Sequence, residues 1–405
     1  MMGSTNADGS SSILANFLIA LSMAFVPAEL VSAQLSPDNT LGTESSVVQF
    51  GVAVRGGAAE RIAGGAARGP NLFHSFTSFN VKALQRVYFD NPAGIENILA
   101  RVTGNASSEI RGLLGVDGGA NLFLLNPNGI LFGPNAQLDI AGSFVASTAS
   151  SFKFADGSEF SATNPNAPPL LTVNLTPGLQ HGTSRAGATI TSTGQLTVGG
   201  DLILAADLLN LKGQMQAGRD LILRASDTVT VRNKTGTPFR ASAGRNLLVE
   251  AGTIDILALN ADQAAFQSGG DLTMVSDNNI SGDAHFYAGG NFSLLDRSGQ
   301  PANFVSVEDP IISANGDVTF GNYTGVALKV ESTRNIVGGN IRITGPDTGP
   351  VPPSDPHFTV LTTSRALVLQ ASKATLDKAP PDVLPTTTGG TSFSDPGPTS
   401  SPGSP

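Results

Sequence analysis

Residues able to do chemistry are few in this chain and thinly spread. Asp201, Asp220, Asp271 and Asp317 recur at one position of a repeated pattern, and Asn246, Asn291 and Asn340 hold the same position elsewhere. A row of carboxylates could bind calcium, but calcium repeats of that kind follow a nine-residue Gly-Gly-X-Gly-X-Asp period, which this sequence lacks. The spacing fits Asx turns better, with each side chain bonding to the backbone two residues on. His74, His181, His285 and His357 stand about 70 to 110 residues apart. No two have i, i+4 or zinc-motif spacing, so neither a metal site nor a cofactor is expected. Glycoside hydrolysis needs two carboxylates at a set separation, and no acid pair or Gly-His-Gly offers them. Arg219, Arg224 and Arg245 could serve a lyase as bases, yet no acid cluster accompanies them. Gly182-Thr-Ser184-Arg-Ala186 misses the nucleophile elbow, which needs Gly at its fifth position. The expectation is that the catalytic set is empty and the protein is not an enzyme.

Composition narrows the elements that could carry these residues. The chain has 405 residues, 40% of them apolar, 14% charged and 6% aromatic, with 47 Gly, no Trp and no Cys. A stack of thin β-coils needs little charge or aromatic bulk, and its turns use Gly, Asn, Asp and Ser. Lack of Cys excludes disulfides, Cys-based zinc sites and a thiol nucleophile. The net charge is −9 and there is no basic run, which argues against a nucleic-acid partner. Residues 13–26 form an apolar run too short to span a bilayer. Pro27 ends it, and Val31-Ser32-Ala33 offers a signal-peptidase site before Gln34. This reads as a secretory signal peptide over 1–33, although Asp8 is the only charged side chain before the run. No other segment reads as a membrane span.

The elements that position everything else come from a repeat. Gly199-Gly-Asp201-Leu202 is echoed by segments starting at Gly218, Gly244, Gly269, Gly289, Asn315 and Gly338, in steps of 19, 26, 25, 20, 26 and 23 residues. A period near 20 with short insertions marks a solenoid. After each turn, apolar residues at i and i+2 make a strand with one face inward. The expected inward columns are Leu202, Leu221, Leu247, Leu272, Phe292, Val318 and Ile341, and beside them Leu204, Leu223, Val249, Met274, Leu294, Phe320 and Ile343. Leu209/Leu211, Val229/Val231, Ile254/Ile256 and Val326/Leu328 supply a second strand per coil. The expected fold is all-β: a right-handed parallel β-helix with coils of about 20–25 residues and a capped N-terminal domain. Some 13 coils over residues 45–345 would make a rod of about 60–70 Å at ~4.8 Å per coil. A leucine-rich repeat would need a helical segment in each unit, and none appears. Residues 346–405 turn rich in Pro, Gly, Ser and Thr and read as a flexible tail; within it, residues 357–378 supply a last strand or cap.

The most informative segment is Asn121-Leu-Phe-Leu-Leu-Asn126-Pro127-Asn128-Gly129-Ile130-Leu-Phe132-Gly133, followed by Gly142-Ser-Phe-Val-Ala-Ser-Thr-Ala149. It is a strand, a turn and a second strand. Pro127 presets φ for the turn, and Asn128-Gly129 tolerate the left-handed region. Upstream lie a Phe-rich stretch, Asn71-Leu-Phe-His-Ser-Phe76, and a second turn, Asn91-Pro92-Ala-Gly94-Ile95. Over roughly residues 33–160 these motifs, in this order, resemble the secretion domain of filamentous-haemagglutinin-type proteins exported by two-partner secretion.

The resemblance implies an exported protein recognised by an outer-membrane transporter, with Asn126, Pro127, Asn128, Gly129, Asn91, Pro92 and Gly94 as recognition residues. It implies a chain that stays unfolded in the periplasm, engages its transporter by strand addition and folds outside. The expected domains are a signal peptide over 1–33, a secretion domain over 34–165, β-helix repeats over 166–345 and the tail over 346–405. On arrival it would be secreted or lie at the outer cell surface as an adhesin-like protein, meeting glycans or proteins of host or neighbouring cells. A polysaccharide-active β-helix enzyme and a purely structural surface or matrix protein are the alternatives.

Overall fold

The computed structural model describes residues 34–166 and 180–377. The expected signal peptide, residues 167–179 just past the expected 165/166 boundary and the end of the tail lie outside them. The rest is a parallel β-helix with three strands per coil, and each strand pairs in register with its counterpart one coil away. On the first sheet the inward column runs Leu72, Ile98, Leu122, Phe144, Leu202, Leu221, Leu247, Leu272, Phe292, Val318 and Ile336. These eleven positions mark eleven coils, a stack of roughly 50 Å at the ~4.8 Å strand spacing. The expected 13 coils were too many. Residues 34–68 form an antiparallel cap, and the chain leaves the stack between residues 149 and 184 to build a small antiparallel sheet.

The second sheet carries the column Ile190, Leu209, Val229 and Ile254, then Ile280, Phe304, Tyr323 and Ile341. The third carries Leu196, Met215, Ala241, Phe266, Phe286, Ile312, Val330 and Leu369. The middle of the repeat therefore follows the expected register, but its last members do not. Ile341 and Ile343 pair with Tyr323 and Gly325 on the second sheet, and Ile336 takes the place expected of Ile341. Val326 and Leu328 likewise do not extend the second sheet. Leu328 begins the third-sheet strand Leu328–Ser332. The cause is local: a Gly-Gly-Asn corner followed by Ile can open either of two sheets, and only the neighbouring coil decides which.

The core is one continuous cluster from Ile62 to Val330, with almost every member fully buried. Each inward Leu or Ile contributes about 1.5–3 kcal/mol by leaving water, but only if a coil lies above and below it. At the N-terminal end that cover comes from four strands: β1 (Leu35–Pro37), β2 (Ser46–Val54), β3 (Gly57–Gly64) and β4 (Ala66–Arg68). β1 and β4 run antiparallel to the first-sheet strand Asn71–Phe79, while β3 lies parallel to Arg86–Asp90 on the third sheet. At the other end, the short helix α1 (Phe358–Thr363) sets Leu361 against Ile311 and Ala327 on the outside of the third sheet. The strand Leu367–Gln370 then pairs with Leu328–Ser332.

The repeated Asp and Asn residues do not make Asx turns. Asp201 Oδ1 accepts from the backbone N–H of Asp220, 19 residues on, at 3.1 Å. Asp220 accepts from Asn246, Asn246 from Asp271, Asp271 from Asn291, Asn291 from Asp317 and Asp317 from Asn335, at 2.7–3.0 Å. Each side chain thus bonds to the equivalent residue of the next coil. Backbone bonds between coils flank this position at each corner, and the side-chain column supplies the acceptor for the N–H between them. Asn340 belongs to a second, shorter column with Asn303 and Asn322.

Candidate functional site

The first four coils differ from the rest because their first sheet is buried on both faces. Leu122 and Leu124 point into the helix core, whereas Phe123 and Leu125 point outward into a second apolar layer. Phe73, Leu99, Phe123 and Val145 form the outward row by strand pairing. Phe152, Phe154 and Phe160 from the excursion after residue 149 cover it, together with Leu41 and Ala66 from the cap. Phe73 and Phe160 meet edge to face, their centroids 4.9 Å apart. A strand buried on both faces reads as an uninterrupted apolar run, which is why Asn121–Leu125 lacks alternation.

Arg101 closes this layer at one end and is 1% exposed. Its Nε donates to Ser75 Oγ at 2.9 Å and its Nη1 to the Ser161 carbonyl at 2.8 Å. Its Nη2 donates to Thr40 Oγ1 and to the Asn166 carbonyl, both at 2.9 Å. The guanidinium also lies 4.3 Å from the Phe160 ring centroid. Burial lowers its pKa to about 10, with the nearby Asp38 charge acting the other way. Burial pushes the Asp38 carboxyl up, but hydroxyls of Thr103, Thr40 and Ser75 outweigh this and hold it below the usual value. One side chain thereby joins the cap, the first sheet and the excursion. A lone Arg in a strand carries no sequence signal for that role. His74, fully buried and next in the chain to Ser75, bonds Ser46 Oγ through Nδ1 at 3.0 Å, and burial lowers its pKa to about 3.

Asn126, Pro127, Asn128 and Gly129 form the corner between the first and second sheets. The Gly129 N–H bonds to the Asn126 carbonyl at 3.1 Å. Gly129 alone of the pair has positive φ, at +115°. Asn126 is fully buried; its Nδ2 donates to the Ala106 carbonyl and to Ser108 Oγ, both at 3.0 Å. Its Oδ1 accepts from the Asn128 backbone N–H at 3.0 Å. Asn128 Nδ2 donates to the Gly104 carbonyl at 2.8 Å. The corner is thus bolted to the coil beneath it, and the coil above brings the Thr189 carbonyl close to Gly129. Asn91, Pro92 and Gly94 occupy a different corner, between the third and first sheets. Pro92 and Gly94 are exposed there, and Gly94 has φ +82°. Asn91 Nδ2 donates to the Ile95 carbonyl at 2.9 Å, and its Oδ1 accepts from the Ala120 N–H at 3.0 Å. The two similar turns are separate sites and do not converge.

One more feature of this end could meet a partner. β2 pairs only with β3 among the described residues, so its other edge keeps unpaired backbone groups. Phe50 and Val47 on β2 are 73% and 51% exposed. Elsewhere the candidate bases Arg219, Arg224 and Arg245 pair with Asp201 at 3.0 Å, Glu250 at 2.8 Å and Asp220 at 2.5 Å. Asp355, His357 and Asp377 come close enough to hold a cation. Lys329 Nζ already sits there, 2.6 Å from Asp355 and 2.9 Å from Asp377. No helix among the described residues is long and apolar enough to cross a membrane.

The family model described as TPS secretion domain, for two-partner secretion, matches residues 33–256. Among solved structures, the chain is similar to the HMW1 secretion domain from Haemophilus influenzae, at 15% identity and a TM-score of 0.49, over 81% of this chain and 96% of that one. It is also similar to the filamentous hemagglutinin secretion domain, at 16% identity and a TM-score of 0.36, over 76% of this chain and 99% of that one. No curated protein matches it. With more than half its length matched by the family model, the chain belongs to the TPS secretion domain family and is an exported two-partner secretion substrate.

Proposed function

We propose that the N-terminal end of this chain is the address read by an outer-membrane transporter, and that reading happens before the β-helix closes. The observation that carries this is the burial of Asn126. A side chain with no exposed surface and both amide atoms engaged cannot be touched by a partner once the coils have stacked. Asn126, Pro127, Asn128 and Gly129 then serve twice, first as a recognised segment and afterwards as a corner. Asn91, Pro92 and Gly94 remain accessible after folding. β2 suits strand addition, because an open edge with outward Phe50 and Val47 gives a partner strand both hydrogen bonds and an apolar grip.

The mature protein lies outside the cell or on its outer surface and acts there without catalysis, as an adhesin-like or structural element. Residues 34–165 act as the secretion domain, and the coils beyond present the surface. The test is export in cells with and without the transporter, for wild type, Asn128→Ile and Phe50→Asp. Transporter-dependent appearance outside is expected for wild type, with loss of roughly ten-fold or more in both variants while periplasmic protein persists. Equal export of wild type without the transporter would overturn the reading. Full export of Asn128→Ile would remove the turn from recognition.

A further inference from the structure

The outside of the third sheet carries a cleft between two excursions of the chain, far along the stack from the secretion features. Its floor is a row of register partners from four consecutive coils: Gln267, Tyr287, Ser313 and Glu331. Asp262 and Gln263 stand on one side, Pro352 and Asp355 on the other. The cleft is shallow, with ≈ 50 Å³ of enclosed space, so a ligand would lie across its open mouth.

Its basic side chains are already engaged. Lys329 is held by Asp355 and Asp377, Glu331 by Lys373 at 2.9 Å, and His285 by Asp309 at 2.8 Å. Among the residues that line the cleft no cation is free, and an anion would face Asp262. Uncommitted hydrogen-bonding groups, by contrast, are present. Gln267 is 1% exposed; its Oε1 accepts from Arg240 at 3.0 Å, but its buried Nε2 has no partner. The Tyr287 hydroxyl accepts from Asn315 Nδ2 at 2.7 Å, and its own proton has no acceptor among the described residues. The Asp262 carboxylate also has no partner among them and can accept. Beside these groups lie the Tyr287 ring, Ile311 and Pro352.

Two donors, one strong acceptor and a flat apolar strip match vicinal hydroxyls and the C–H face of a pyranose ring. We propose that this cleft binds a neutral saccharide, one or two rings of a glycan. The biological setting rests on the surface reading above, but binding to the purified chain does not. The experiment is titration calorimetry of the full exported chain with N,N′-diacetylchitobiose, cellobiose and digalacturonate, repeated with Asp262→Ala and Gln267→Met. Saturable binding of a neutral disaccharide is expected, weakened about ten-fold by Asp262→Ala with an unchanged unfolding midpoint. Digalacturonate is expected to bind more weakly. No saturable binding of either neutral sugar up to about 10 mM, a weak-complex limit, would overturn the proposal. So would binding undiminished by both substitutions, or a preference for digalacturonate. Transporter-independent export with intact sugar binding would sink the secretion reading and leave this one standing.

Discussion

Asn126 and Arg101 show how unevenly single residues announce themselves. The Asn-Pro-Asn-Gly corner is legible as a turn because Pro and Gly fix local backbone, but its bonds to Ala106, Ser108 and Gly104 are made by another coil. Arg101 was not legible at all, since its partners lie 26 to 65 residues away. Asp347 was equally silent and gives a pH test. It is buried with Oδ2 unpaired, and burial, then the charges of Asp309 and Asp283, raise its pKa from 3.8 to about 8. A raised carboxyl pKa means that the folded state holds a proton the unfolded chain releases. Stability therefore falls as pH climbs from about 4 to about 8 and loses nothing further from this group above that. Asp347→Asn should flatten that fall. Thermal unfolding of both proteins at pH 5 and pH 9 would show it as a smaller midpoint difference in the variant.

At the scale of strands and corners, inward columns were legible wherever apolar alternation followed a Gly-Asp or Gly-Asn corner. The reading failed at Ile341 and Val326 because the same pattern opens more than one sheet. It expected an N-terminal cap but missed its antiparallel pairing, since its alternation resembles that of a coil, and it missed the outer aromatic layer, whose Phe residues come from a distant excursion. The acid and amide columns were visible as a repeat, but the bond they make was not, because its acceptor and donor belong to different coils. Two substitutions separate the kinds of rung. Asn246→Ala removes an exposed rung and should cost about 1 kcal/mol. Asp201→Ala removes a buried carboxylate that accepts from Asp220 and pairs with buried Arg219, and should cost about 3–4 kcal/mol. Urea unfolding would rank them, and equal costs would deny the Asp201–Arg219 pair its weight.

For the molecule as a whole, the β-helix and the secretion class were both readable. The first came from periodicity and the second from resemblance. The number of coils was not, because a cap and an excursion use residues that length alone assigns to the stack. A stack in which each coil touches only its neighbours has nearly additive stability. Leu272→Ala should cost about 2–5 kcal/mol, spent locally. Hydrogen exchange should quicken in strands Leu247–Ala251, Leu272–Ser276 and Phe292–Leu295 while Asn121–Leu125 stays protected. Uniform loss of protection along the stack would mean that the coils unfold as one unit.

The column of Asp and Asn corners has a direction. From Asp201 to Asn335 every rung reaches from an earlier residue's oxygen to a later residue's N–H. The column is therefore polar in the way a growing filament is, with unlike ends. Its C-terminal end presents acceptors awaiting a coil, and its N-terminal end has none to offer along this column. Each coil added in chain order therefore brings the N–H that a side chain already in place accepts, while its own corner carbonyl accepts from the coil before, as Asp220 O does from Leu202 N–H.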